Sequence, residues 1–156
     1  MNAFLSLLCL LLFLGGCNLS DRIPPKNGKE LKNFYITRGK NYANTQNIAQ
    51  AVMTFREAIK YYPDDPESYF FTGDLFMELK DYATARDYFA EVIRLQPDNA
   101  HAYLRMAACY DLQKDRNKAI QFVRKSAEIF RQKNDEVNFK ISWQILERLL
   151  ILRLRQ

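Results

Sequence analysis

A chain of 156 residues has room for one domain, and with 48% apolar and 13% aromatic residues it can bury a substantial core. Five Gly and five Pro are too few for an array of strands and turns, which leaves helices as the expected framework. The net charge of +5 divides into basic ends and an acidic middle: 8 basic and 3 acidic residues over 1–60, 4 and 10 over 61–113, and 11 and 5 over 114–156. That layout argues against one continuous basic face for nucleic acid and fits protein contacts or docking on an anionic surface.

In chain order, residues 1–20 carry no charged side chain, and Ala3 to Leu14 is apolar apart from Ser6. Such a run is shorter than the roughly 20 residues that span a bilayer and has the length of a signal-peptide core. It closes on Leu14-Gly15-Gly16-Cys17, which resembles the bacterial lipobox. The resemblance implies removal of 1–16 and acylation of Cys17, so that the mature chain is held on a membrane by lipid. Gly15 stands where Ala, Ser or Thr is commoner, and no Lys or Arg precedes the apolar run. An ordinary secretory signal and a short membrane anchor remain open as alternatives. Asn18 rather than Asp follows the cysteine, which by the sorting rule of enteric-type Gram-negative bacteria implies the periplasmic face of the outer membrane. Residues 17–31, with Pro24-Pro25 and Asn27-Gly28, are expected to carry the lipid and a polar tether of roughly 40 Å at full extension.

From residue 32 onward the chain repeats. Pro63 and Pro97 lie 34 residues apart, each followed by Asp. The same shift superposes Tyr35, Tyr69 and Tyr103; Gly39, Gly73 and Ala107; Tyr42, Phe76 and Tyr110; Ala51, Ala85 and Ala119; and Phe55, Phe89 and Val123. Three ungapped copies therefore run over 32–65, 66–99 and 100–133. The pattern predicts helices near 31–44, 47–61, 66–79, 82–95, 100–113 and 116–132. The small residues are expected where the two helices of a copy press together, and the prolines where the second helix of a copy ends. Asp64-Asp65 and Asp98-Asn99 supply capping side chains at helix starts.

These residues resemble the tetratricopeptide repeat, most closely in the middle copy, where Tyr69, Gly73, Phe76, Tyr82, Ala85, Phe89 and Pro97 meet its motif. The resemblance implies an all-α, right-handed superhelical solenoid of three helix-turn-helix repeats. Arg38 and Thr72 depart from the usual Leu and Val92 from the usual Ala, and Arg131 replaces the closing proline, so the last helix of the third copy is expected to run on. A seventh helix near 135–154, within 134–156, lacks the repeat's signature and resembles the capping helix of such arrays. Its apolar residues cover far more than one stripe: Val137, Ile141, Ile145, Leu149 and Leu152 are extended by Trp143, Leu146, Leu150 and Leu154. A plain cap, a second surface for self-association or a partner helix, and contact with a membrane surface all remain open for it.

No phosphate-binding Gly-Lys loop, nucleophile elbow or metal-ligand spacing is present in the sequence, and no cofactor is expected. The lone histidine, His101, opens a repeat helix, and Cys109 falls in mid-helix like a small core residue. Function is therefore expected in binding. The resemblance implies a groove lined by the first helices: Asn33, Ile36 and Lys40; Phe70, Phe71, Asp74 and Glu78; and His101, Leu104, Arg105 and Ala108. Ile36 and Lys40, then Phe70 and Asp74, occupy the sites of the family's carboxylate clamp, so a chaperone C-terminal carboxylate is not the expected ligand. Phe70 or Phe71 between Asp74 and Glu78 favours a basic, apolar segment, though both rings are also candidates for the core. The expected role is a lipid-anchored adaptor in an envelope complex. An accessory regulator of an envelope hydrolase, and an enzyme with an unrecognised site, are the alternatives.

Overall fold

The computed structural model describes residues 28–154; Cys17, the leader and the tether as far as residue 27 lie outside the described residues. The chain divides into two units, 1–34 and 35–156. Of the first, the described part is 28–34, the opening turns of a helix.

Seven helices and no strand occur among the described residues: α1 Gly28–Asn44, α2 Ile48–Tyr61, α3 Pro66–Glu78, α4 Tyr82–Leu95, α5 Ala100–Leu112, α6 Arg116–Gln132 and α7 Glu136–Leu154. They pair as α1/α2, where Gly39 and Ile36 pack on Phe55, then α3/α4 and α5/α6, with α7 packed on α6, which is a helical-repeat solenoid of three copies and a closing helix. Six of the predicted helices fall within a residue or so of their expected ends. The first starts at Gly28, three residues earlier than expected and inside the segment read as tether. Glu30 in its first turn suits the helix dipole, and no proline interrupts the sequence between Gly28 and Asn44.

Two kinds of turn join the helices, and each has a local cause. Within a copy, the second residue after the first helix takes a left-handed backbone: Gln46, Lys80 and Lys114 have φ of 57°, 60° and 64°. The amide beyond it reaches back across the turn, Asn47 to the Tyr42 carbonyl, Asp81 to Phe76 and Asp115 to Tyr110, each at 2.9 Å. This is the Schellman arrangement that satisfies the last carbonyls of a helix. The same Asn47, Asp81 and Asp115 then cap the next helix, accepting from the amides of Gln50, Thr84 and Lys118. Between copies, Pro63 and Pro97 follow the ends of α2 and α4, and Asp65 and Asn99 cap α3 and α5 by accepting from Ser68 and Ala102.

The end of the third copy departs from this alternation. With Arg131 in place of proline, α6 runs for 17 residues against 14 in α2 and α4. It then closes with the left-handed turn that elsewhere lies inside a copy, at Asn134 (φ 56°), and Asp135 caps α7 by accepting from the Asn138 amide at 3.1 Å. Caps at 65, 99 and 135 show that α7 takes the place of a fourth first helix, displaced by two residues.

The core repeats with the helices. In the first two copies the ring of Phe55 or Phe89 lies where a β-carbon on Gly39 or Gly73 would stand; the nearest ring atoms are 2.6 and 2.7 Å from it. In the third copy Ala107 is tolerated because its partner in the core is Val123. α7 closes the array by placing Leu146 and Leu149 against Ala107, Ala119, Ile120 and Val123. Positions 58, 92 and 126 are all buried; Val92 is tolerated there, and Ser126 donates to the Ala100 carbonyl at 2.9 Å. Thr72, in the site usually taken by Leu, is fully buried and donates to the Ser68 carbonyl at 2.7 Å.

Candidate functional site

The first helices of successive copies present one face, and ion pairs bridge them along it. Lys40 of α1 meets Glu67 of α3 at 2.9 Å, and its ammonium lies 4.4 Å from the centre of the Phe71 ring. Arg105 of α5 meets Asp74 of α3 at 2.7 Å, with its guanidinium 5.8 Å from the Phe70 ring. Farther along, Arg148 of α7 approaches Asp111 of α5 at 3.4 Å. The periodicity accounts for the alignment, since positions 40 and 74 are equivalent, as are 67 and 101, and 71 and 105.

Burial distinguishes the two bridges. The side chains of Lys40 and Glu67 are both more than 40% exposed, whereas that of Asp74 is 29% exposed. Burial raises the Asp74 carboxyl above its ordinary range, and the neighbouring Arg105 offsets part of that rise. The exposed Lys40–Glu67 pair contributes about 0–1 kcal/mol, so it does little to hold the array together. A ligand can therefore exchange partners with it at small cost.

The expected groove residues divide into two groups. Lys40, Asp74 and Arg105 meet on the face described, and Glu78 lies exposed one turn beyond Asp74. Asn33 is exposed on the opening turns of α1. Ile36 belongs elsewhere: one turn before Lys40, it is 6% exposed because Ala51 and Phe55 of α2 and Leu75 of α3 close over that position. Phe70 and Phe71 are half-buried; Phe70 stands edge-on to Phe89 at 5.6 Å and Phe71 stacks on Phe55 at 5.4 Å. Each ring serves the core on one side and carries a cation on the other. Leu104 is half-buried against two core clusters, and Ala108 is half-buried. His101 is exposed, with its ring 5.0 Å from Phe130 in an edge contact. Glu67 was missed by the sequence reading, although it lies 34 residues before His101 on the same face.

No group of three or more His, Cys, Asp or Glu residues among those described is arranged to hold a metal ion. Cys109 is fully buried, and its thiol is pushed up to about 11 by that burial, which keeps it protonated and inert at neutral pH.

A solenoid of paired helices with a charged and aromatic first-helix face defines a repeat protein of the interaction class. Family models described as "Tetratricopeptide repeat" match residues 36–100 and 76–137, and residues 36–137 are a tetratricopeptide-repeat array. No curated protein matches the sequence. Solved structures share the fold. The TPR2B domain of yeast Sti1, in its pHsp70 complex, is 19% identical with a TM-score of 0.72, over 78% of this chain and 97% of that one. The Yersinia enterocolitica type III secretion translocator chaperone SycD is 11% identical with a TM-score of 0.75, over 90% and 97%. The first TPR of Spaghetti (RPAP3), bound to an HSP90 peptide, is 14% identical with a TM-score of 0.69, over 79% and 93%.

Proposed function

We propose that this chain is a non-enzymatic adaptor, anchored by lipid at Cys17 to a bacterial envelope membrane, that holds a basic, apolar segment of a partner protein on its first-helix face. The observation that carries the reading is the pairing of opposed charges over aromatic rings on α1, α3 and α5. A partner's apolar side chain would lie beside Phe70 and Phe71 while its cations take Glu78 and compete with Arg105 for Asp74. Cations over aromatic faces contribute about 0.5–2 kcal/mol, so an incoming Lys or Arg can replace Lys40 or Arg105 with little net loss. Similar domains are solved with an HSP90 peptide and in a pHsp70 complex, which supports peptide capture as a use of the fold. The departures at Ile36 and Phe70 direct this chain to a different ligand from a chaperone carboxylate. Confinement near a membrane would raise the effective concentration toward other envelope components. The Leu14-Gly15-Gly16-Cys17 run supports the anchor, and Asn18 supports the outer membrane.

The binding half is tested by co-purification from detergent-solubilised membranes with the wild-type chain and with Asp74→Lys/Glu78→Lys. Loss of the partner from the variant is expected, and retention at equal yield would reject this face. Mass determination of the mature N-terminus tests the anchor independently. A diacylglyceryl-modified Cys17 is expected, and an unmodified one would remove it.

A further inference from the structure

The repeat sets a station of four side chains at each step between neighbouring first helices, two from each helix. Between α1 and α3 it holds Ile36, Lys40, Glu67 and Phe71, and between α3 and α5 it holds Phe70, Asp74, His101 and Arg105. Each of these stations carries a bridging ion pair, Lys40 to Glu67 and Arg105 to Asp74. Because α7 takes the place of a fourth first helix displaced by two residues, the third station is Leu104 and Ala108 of α5 with Val137 and Ile141 of α7. All four are apolar. Val137 is 70% and Ile141 44% exposed, while Leu104 and Ala108 are half-buried. Lys140 and Gln144, equivalent to Phe70 and Asp74, lie exposed on the side of α7 away from α5.

We infer that the third station takes one apolar side chain of the same partner segment whose cations meet Asp74 and Glu78; the inference rests on the proposed function for the segment itself. Continuity carries it. The station lies on the first-helix face one step beyond the Asp74–Arg105 pair, and the bridge from Arg148 to Asp111, at 3.4 Å, continues the line of ion pairs across the same step. Charge sets the order of the segment. Arg105, Lys140 and Arg148 flank the station and repel a Lys or Arg from it, whereas Asp74 and Glu78 draw one a step away. Packed helices lie roughly 10 Å apart, about three residues of extended chain, so the apolar residue and the cation are separated by that spacing. Size argues against a second copy of this chain as the occupant: four side chains accommodate one residue, and a stable interface takes roughly 20 residues a side. Val137 and Ile141 are thereby specificity-determining, since at the two earlier steps their positions hold Glu67 and Phe71, then His101 and Arg105.

Defined peptides test it. Labelled peptides of Gly and Ser carry one Lys-Arg pair and one Leu, the spacing between them varied in both chain directions, and fluorescence anisotropy reads their affinity for the full chain in detergent. Binding is expected to be tightest at a spacing of about three residues and about tenfold weaker when Ser replaces the Leu. Val137→Ser/Ile141→Ser should bind the leucine and serine peptides equally and keep its dependence on the Lys-Arg pair. Ala108→Asp/Ile141→Arg rewrites the third station in the residues of the second, and should lose the leucine preference likewise. Circular dichroism of both variants should match the parent, since Val137 and Ile141 are exposed. A leucine preference that survives in both would overturn the inference and leave the cation-binding face standing. Equal affinity of the parent for leucine and serine peptides would also overturn it. Binding that ignores Asp74→Lys/Glu78→Lys would instead reject the proposed function, and the inference with it.

Discussion

At the scale of single residues, the repeat is a set of space-sharing pairs. Gly39 with Phe55 and Gly73 with Phe89 leave no room for a β-carbon, while Ala107 with Val123 divides the same volume differently. Gly73→Ala is therefore expected to destabilise the chain by about 1–3 kcal/mol, the usual range for overpacking. Combined with Phe89→Val it should do less harm than the two single changes summed. Denaturant melts of the four proteins in this double-mutant cycle check the coupling, and strict additivity would contradict it. The identity of the small residues was legible in the sequence because each copy repeats them. That their partner is the aromatic 16 residues later needed coordinates, since periodicity says which positions are equivalent and not which atoms touch.

At the scale of elements, the turns are the informative part. Gln46, Lys80, Lys114 and Asn134 hold left-handed backbones that glycine adopts at no steric cost. Lys114→Gly is expected to raise stability by about 1 kcal/mol in thermal melts, because the side chain of Lys114 is exposed and the strain of its backbone is removed. Caps give a second expectation. Hydrogen bonds from Thr84 to Asp81 and from Asn138 to Asp135, and the bond from Lys133 to Asp98, lower these carboxyls below their usual range. A carboxyl lowered in the folded state contributes stability that is present above its unfolded value. That contribution is lost as pH falls through about 3.9 toward the folded value. Thermal melts should therefore fall off below about pH 4. Asp98→Asn with Asp135→Asn should lower stability at pH 7 and flatten the acid limb; an unchanged limb would contradict this. The left-handed turns are not legible in the sequence because no glycine marks them, and Asn47, Asp81 and Asp115 lack the nearby proline that marks the helix starts at Asp65 and Asn99.

At the scale of the whole molecule, an array stands or falls by its ends. α7 buries Leu146 and Leu149 against the last repeat, and each contributes about 1.5–3 kcal/mol by removal from water. Ending the chain after Asn134 should therefore cost roughly 3–6 kcal/mol, a large part of the 5–15 kcal/mol of an ordinary domain. Circular dichroism melts and dye binding to exposed apolar surface measure that loss. Little change would mean that α7 is dispensable to the fold and kept for its outer face.

By itself the sequence determined the helical repeat, its period, its three copies and six of the seven helix positions to within a residue or so. These follow from local preference and from spacing repeated often enough to be read. Tertiary structure alone decided that Ile36 is core, that Phe70 and Phe71 serve core and face together, and that Asp74 is already held by Arg105. It also decided which side of α7 faces water. A helix with apolar residues all round does not announce its inner face, and a charge does not announce its partner on another repeat. Both depend on how the helices rotate against one another, and that is settled only when the side chains of neighbouring copies fill the same space.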